Sequence, residues 1–158
     1  MTKQYIRGFT LVELMIIVAI LAIITVVAVP TASRMSKNQL SDRLYQELQL
    51  DLRYARSHAS TTARQIRFEP VASWQQGWQI VDQTDNRVIR KRSHTLDAGL
   101  ISSADISSAT PLIFAPDGSS NADATLVINV PGCTGLRVRS LMINRIGQIQ
   151  ISGSSLCP

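Results

Sequence analysis

The sequence predicts an α+β chain, in which one long N-terminal helix is followed by an antiparallel sheet packed on the helix's second half. Three observations carry that prediction. From Phe9 to Val29 the chain is apolar for 21 residues, and Glu13 is its one charge. Beyond Pro30, Leu40, Leu44, Leu48, Leu52, Ala55 and Ala59 recur at the three- and four-residue steps of a helix face. After residue 63 the apolar period changes to two, which is the pattern of half-buried strands.

The first segment opens with Lys3 and Arg7, then Gly8, then Phe9-Thr10-Leu11-Val12-Glu13-Leu14. At ~1.5 Å per residue the apolar run is about 32 Å long as a helix, enough to cross a bilayer core. A carboxylate at the centre of such a span costs about 2.5–3.5 kcal/mol, less near an end, so Glu13 asks for a partner. Residues 9 and 13 share a helix face. A cut between Gly8 and Phe9 would set a positive α-amino group beside this carboxylate or that of a neighbouring copy. An ordinary secretory signal has a shorter apolar core with a small-residue cleavage site after it. A plain anchor would explain the length but not Glu13 or the Gly8–Phe9 junction. Positive residues ahead of the span keep the short N-terminus cytoplasmic and send the bulk of the chain out.

The helix should continue past Pro30 to residue 63, since no Gly or Pro falls between Ser33 and Ala63. Pro30 removes the hydrogen bond to residue 26 and crowds that turn, which bends or loosens the helix there. Arg43, Glu47, Asp51 and Arg53 populate the faces away from the leucine stripe. The β-branched run Ile23-Ile24-Thr25-Val26-Val27 suits lipid or filament packing better than an isolated soluble helix.

Strands are expected at Gln65–Glu69, Trp78–Gln83, Val88–Ser93, Leu112–Ala115, Thr125–Val130, Val138–Asn144 and Ile149–Ser152, making one antiparallel sheet of about six or seven strands. Asp82–Asn86, Pro116-Asp117-Gly118 and Ile146-Gly147 supply turns. Residues 94–111, rich in Ser, Ala and Asp, read as a long loop with little core of its own. The organisation is therefore 1–8 leader, 9–29 span, 30–63 amphipathic helix and 64–158 β domain.

With 158 residues the chain has room for one domain and an anchor; loss of residues 1–8 leaves 150, of which 128 lie beyond Pro30. The net charge of +5 falls to +3 when Lys3 and Arg7 are removed, a mildly basic balance that does not by itself announce nucleic acid. Beyond Pro30 there are twelve Arg and two Lys. In an exported domain Cys133 and Cys157 should form a disulfide. The chain-entropy model gives about 3.5 kcal/mol for that loop. Two reduced thiols are the alternative, and a metal site is disfavoured because no His lies near either Cys. His58 and His94 read as solvated side chains. No nucleophile elbow, phosphate loop, dinucleotide fingerprint or metal-ligand spacing occurs, so no enzyme activity, cofactor or metal is expected.

The basic octapeptide ending in Gly8, followed by Phe9-Thr10-Leu11-Val12-Glu13-Leu14, resembles the class III signal of type IV pilins and type II secretion pseudopilins. Pro30 falls where helices of that family commonly carry a proline. Leu52-Arg53-Tyr54-Ala55-Arg56-Ser57-His58-Ala59, Trp74 with Gly77-Trp78-Gln79-Ile80 and Asp82, and Phe114-Ala115-Pro116-Asp117-Gly118 resemble segments of the GspH/FimT/FimU branch of minor pilins and pseudopilins. The resemblance covers nearly the whole chain. It implies a type IV pilin-like fold, cleavage after Gly8 by a prepilin peptidase and methylation of the Phe9 amine. It also implies assembly through Glu13 with other minor and major pilins. The subunit would be held in the inner membrane by one span, with a periplasmic domain, before entering a pilus. The leading expectation is a minor pilin that supports priming and assembly. Its alternatives are a minor pseudopilin of a type II secretion system and a pilus-associated DNA receptor. Some members of this branch bind DNA through a C-terminal Gly-Arg-x-Arg motif. Here that segment is Gly147-Gln148-Ile149-Gln150, with Ile149 and Ile151 expected on the core side and both glutamines exposed. The geometry fits but the charge is missing, so DNA is not favoured. The remaining candidates for nucleic-acid contact are Arg137, Arg139, Arg145, Arg90, Lys91 and Arg92, although a charged strand edge is more often a solvated, anti-aggregation face.

Overall fold

Helix α1 runs from Leu11 to Thr62. The computed structural model describes residues 9–97 and 99–158, and within α1 the side chains of residues 26–30 lie outside the described set. Residues 1–8, including Gly8, also lie outside it. Thr10 starts the helix: its Oγ1 accepts the Glu13 N–H at 3.2 Å and satisfies one of the orphan donors of the first turn. Thr10-Leu11-Val12-Glu13 has the spacing of a capping box, and the Glu13 charge sits where the helix dipole favours an anion. At the other end Ala63 takes φ 54°, and the Arg64 N–H closes back on the Ala59 carbonyl at 3.2 Å. That is the left-handed stop usually given to glycine, here made with a Cβ.

The chain divides into two compact units, Met1–Ser36 and Lys37–Pro158, and α1 contributes to both. In the first unit every described side chain is exposed, from Phe9 through Thr25 and again over 31–36. Among the described residues, no helix is long and apolar enough to cross a membrane. The span expected over 9–29 runs into the side chains that are not described.

In the second unit the helix buries Leu44, Leu48, Leu52, Ala55 and Ala59 completely, with Leu40 at the margin. The residues that meet this stripe come from two antiparallel four-stranded sheets. The strands are β1 (Ile66–Pro70), β2 (Gly77–Asp82), β3 (Arg87–Ser93), β4 (Ile101–Ser102), β5 (Leu112–Phe114), β6 (Ala124–Ile128), β7 (Val138–Ile143) and β8 (Ile149–Ser155). Their orders are β3-β2-β1-β5 and β4-β6-β7-β8. Ile66, Phe68, Trp78 and Ile80 of the first sheet and Leu126, Ile128, Leu141 and Ile143 of the second are wholly buried. Burial of each large side chain is worth roughly 1.5–3 kcal/mol, so this contact holds the unit together. The arrangement is α+β, as the sequence predicts.

Two expectations change. The single sheet is in fact two, because β5 pairs back on β1 while β6 pairs with β4 and β7. The turn at Pro116-Asp117-Gly118 carries the chain across, leaving an isolated bridge between Phe114 and Ser120. Residues 94–111 also contribute to the core: Leu100, Ile101 and Ile106 are buried, and Ile101 pairs with Ile128. Three apolar residues among many polar ones suffice there because neighbouring strands already shape the site.

Candidate functional site

The helix is fastened to each sheet by one acidic side chain. Asp51 is fully buried on the flank of the leucine stripe. Its carboxylate accepts from Trp78 Nε1 at 2.9 Å, Arg90 Nη1 at 2.8 Å and Arg92 Nε at 2.9 Å. Burial pushes this carboxyl up, but the hydrogen bonds from Arg92, Arg90 and Trp78 outweigh it and hold the group below the usual carboxylate range. Arg90 also lies over the Tyr54 ring, 4.0 Å from its centroid. Beside this cluster His94 Nε2 stands 3.2 Å from Glu47 Oε2, and its ring packs on Trp78.

On the opposite flank Asp42 receives Arg139 at 2.6 Å and Arg137 at 3.4 Å, and Arg139 covers Tyr45. Ser41 Oγ donates to the Arg137 carbonyl at 2.8 Å, and Asn38 exchanges two hydrogen bonds with Thr134. Near the helix end Arg56 donates to the carbonyls of Gly118 at 2.9 Å and Ile146 at 3.1 Å. This clamp fixes the turn before β8. A Cβ on Gly147 would collide with the Gly118 carbonyl, so only glycine fits there. The disulfide Cys133–Cys157 ties the C-terminus to the β6–β7 connection, and the Cys157 N–H donates to the Gly135 carbonyl at 3.1 Å.

Residues 45–147 match the model of the family described as type II transport protein GspH. The chain belongs to that family. Residues 3–29 match the prokaryotic N-terminal methylation motif. Two crystal structures of the type IV minor pilin FimU from Pseudomonas aeruginosa PAO1 are similar in fold. The one in space group P21 is 23% identical with a TM-score of 0.56, covering 80% of this chain and 98% of that one. The one in P65 is 25% identical with a TM-score of 0.52, covering 72% of this chain and 96% of that one. No curated protein matches in sequence. This GspH-family chain is thus a member of the type IV pilins and pseudopilins, a family of structural subunits that associate with other pilins.

The residues expected to carry function fall in separate places. Phe9 is 71% exposed, and Glu13 lies in the first turn of α1 with its side chain exposed. Arg90 and Arg92 turn inward to Asp51, while Lys91 between them is exposed. Arg137 and Arg139 are spent on Asp42, and Arg145 reaches Asp123 at 4.0 Å near the surface. Gln148 and Gln150 are exposed and Ile149 packs on the core, but Ile151 is 53% exposed instead of covered. It pairs with buried Leu141, yet β8 is the edge strand and the cover stops short of it.

Asp51, expected on a face away from the leucine stripe, and His94, expected in solvent, are both drawn into the structure. Asp51 sits at zero exposure, and His94 is largely buried between Glu47 and Trp78. The signal in the sequence was spacing: Asp51 is one residue from Leu52 in the stripe, and Arg90 and Arg92 alternate on one strand face. A carboxylate beside a stripe, with two same-face arginines elsewhere, is the pattern of a buried ion cluster.

Proposed function

We propose that this chain is a minor pilin that supports priming and assembly of a type IV pilus. Its apolar helix start would pack with other minor and major pilins in the filament core, and its folded unit would contact them outside it. One observation carries the reading: described side chains from Leu11 to Ile24, including Leu, Ile, Val and Met, are exposed on all faces of a helix headed by Glu13. A helix apolar all round is stable only when something outside it covers it. Bilayer lipid would do so first, in the inner membrane with the folded unit in the periplasm, and neighbouring pilin helices afterwards. Prepilin peptidase would cut between Gly8 and Phe9 and methylate the new amine. Glu13 would then pair with the Phe9 amine of a neighbour and set the register of docking.

Replacement of Glu13 by Val tests this. The variant should be cut at Gly8 and hold its disulfide, yet its share in sheared filaments should fall at least about tenfold, as for loss of a desolvated ion pair. Incorporation at the normal level would overturn the docking role.

A second reading, a minor pseudopilin of a type II secretion system, is favoured by the match to the GspH model. Deletion should then abolish secretion and leave pili intact, the reverse of the first reading. DNA reception is the weaker reading. Arg90 and Arg92 are already paired with Asp51, and Arg137 and Arg139 with Asp42, so phosphate contacts would have to compete with those carboxylates.

A further inference from the structure

We propose that the free edge of β8, with the arginine-lined groove at its start, is a strand-addition site for an extended acidic segment of another subunit of the filament. The proposal rests on the filament reading above and goes beyond it by naming the surface and the chemistry it takes.

Among the described residues the two sheets have four edges, β3, β5, β4 and β8. An exposed edge offers unpaired N–H and C=O groups, and proteins that must stay unpaired blunt it by shortness, charge or cover. β4 has two residues. β5 has three, and its outer side is occupied: the Asn121 N–H donates to the Ile113 carbonyl at 3.0 Å and the Ile113 N–H to Asn121 Oδ1 at 2.9 Å. β3 is seven residues long but carries Arg87, Arg90, Lys91 and Arg92. β8 is neither short, charged nor covered, and its one irregularity is a bulge at Ser152 opposite Ser140 and Leu141. It runs for seven residues, Ile149–Ser155, with no charged residue and no proline, and no described strand pairs on its outer side. Ile151 on it is half exposed, and Leu156 just beyond it is more so. Three edges are guarded and one is open, as a docking edge has to be.

A second observation specifies the occupant. Where β8 begins, an open groove of about 440 Å³ lies between it and α1, lined by Arg53, Arg56, Ser57, Asp117, Gln148 and Ile149. Among the described residues, neither Arg53 nor Arg56 pairs with a carboxylate. The Asp117 carboxylate is occupied by Ser119, whose N–H and Oγ both donate to it. Two cations against one anion leave the groove positive and ready for a carboxylate side chain. An incoming strand would thus gain main-chain hydrogen bonds along β8 and an ion pair at Arg53. Nucleic acid fits less well, because it brings a phosphate at every nucleotide and β8 has no cation along its length.

The test uses the full chain in filament-forming cells, with a photo-crosslinking residue in place of Gln150 or, separately, Lys91 or Leu21. The Gln150 probe should give a covalent adduct with another pilin through a peptide containing Asp or Glu. Arg53→Glu should cut its yield about fivefold, the effect of one partly screened ion pair, and Ile151→Lys should cut it as well. The Lys91 probe on the guarded edge should give little. Adducts of the Gln150 probe with DNA, with a second copy of this chain alone, or with nothing would overturn the proposal, as would equal yield from Lys91. The Leu21 probe separates the two ideas. If it reaches other pilins while Gln150 does not, the β8 site fails and the filament reading stands. If neither does, the filament reading fails too.

Discussion

The two ends of α1 obey different physics. From Leu11 to Thr25 the helix is apolar on every face apart from Glu13 and its side chains are exposed, whereas from Leu44 to Ala59 it is apolar along one stripe and that stripe is wholly buried. Helices of this length draw most of their stability from packing rather than propensity. The second half finds its packing within its own chain, against Phe68, Trp78, Leu126 and Leu141. Among the described residues, nothing covers the apolar surface of the first half. The contrast explains how one helix can serve both as a structural core and as an attachment segment.

The largest expected effect compares the halves directly. Leu48→Ala should cost the folded unit about 2–5 kcal/mol in urea unfolding followed by tryptophan fluorescence, while Leu21→Ala should move the same transition by less than about 0.5 kcal/mol. Equal losses would mean that the two halves are one cooperative structure. Cys133→Ser should cost up to about 3.5 kcal/mol through the closed loop, and dithiothreitol should reproduce the loss in the native chain.

Asp51→Asn sharpens what fastens the helix. It weakens the acceptor for three donors, and the expected loss is about 2 kcal/mol at neutral pH because both arginines keep access to water. The sign of its pH dependence follows from the lowered folded pKa. The carboxylate's contribution is complete above the unfolded value of about 3.9 and is lost as pH falls below that through the folded value. Native protein should therefore lose stability on acidification below pH ~4 more steeply than the variant, and parallel curves would refute the assignment. Smallest is Ala63→Gly, which relieves the left-handed stop and should raise the melting temperature, with up to about 1 kcal/mol gained.

The helix and its stripe were legible because both depend on local periodicity. Leu44, Leu48, Leu52, Ala55 and Ala59 recur at helical spacing, and all five are buried. Seven of the eight strands were legible for the same reason. β4 was not, because two residues inside a polar stretch have no period; pairing of Ile101 with Ile128 makes it a strand. The division into two sheets was equally hidden, since alternation marks a strand's faces and not its neighbours. The basic residues misled most. Arg90, Lys91 and Arg92 look alike in sequence, but alternation sends the two arginines to Asp51 and the lysine to solvent.

What the sequence determined by itself was the local and the chemical: the helix, its change from all-round to one-sided apolarity, most strands, the two cysteines and the family motif around Glu13. Each is set by residue type at short spacing. Only the tertiary structure decided which charges are spent and which are free, and which of four sheet edges is open. Those depend on what lies opposite each side chain, and residue 51 meets residues 90 and 92 only after the sheet has closed over the helix.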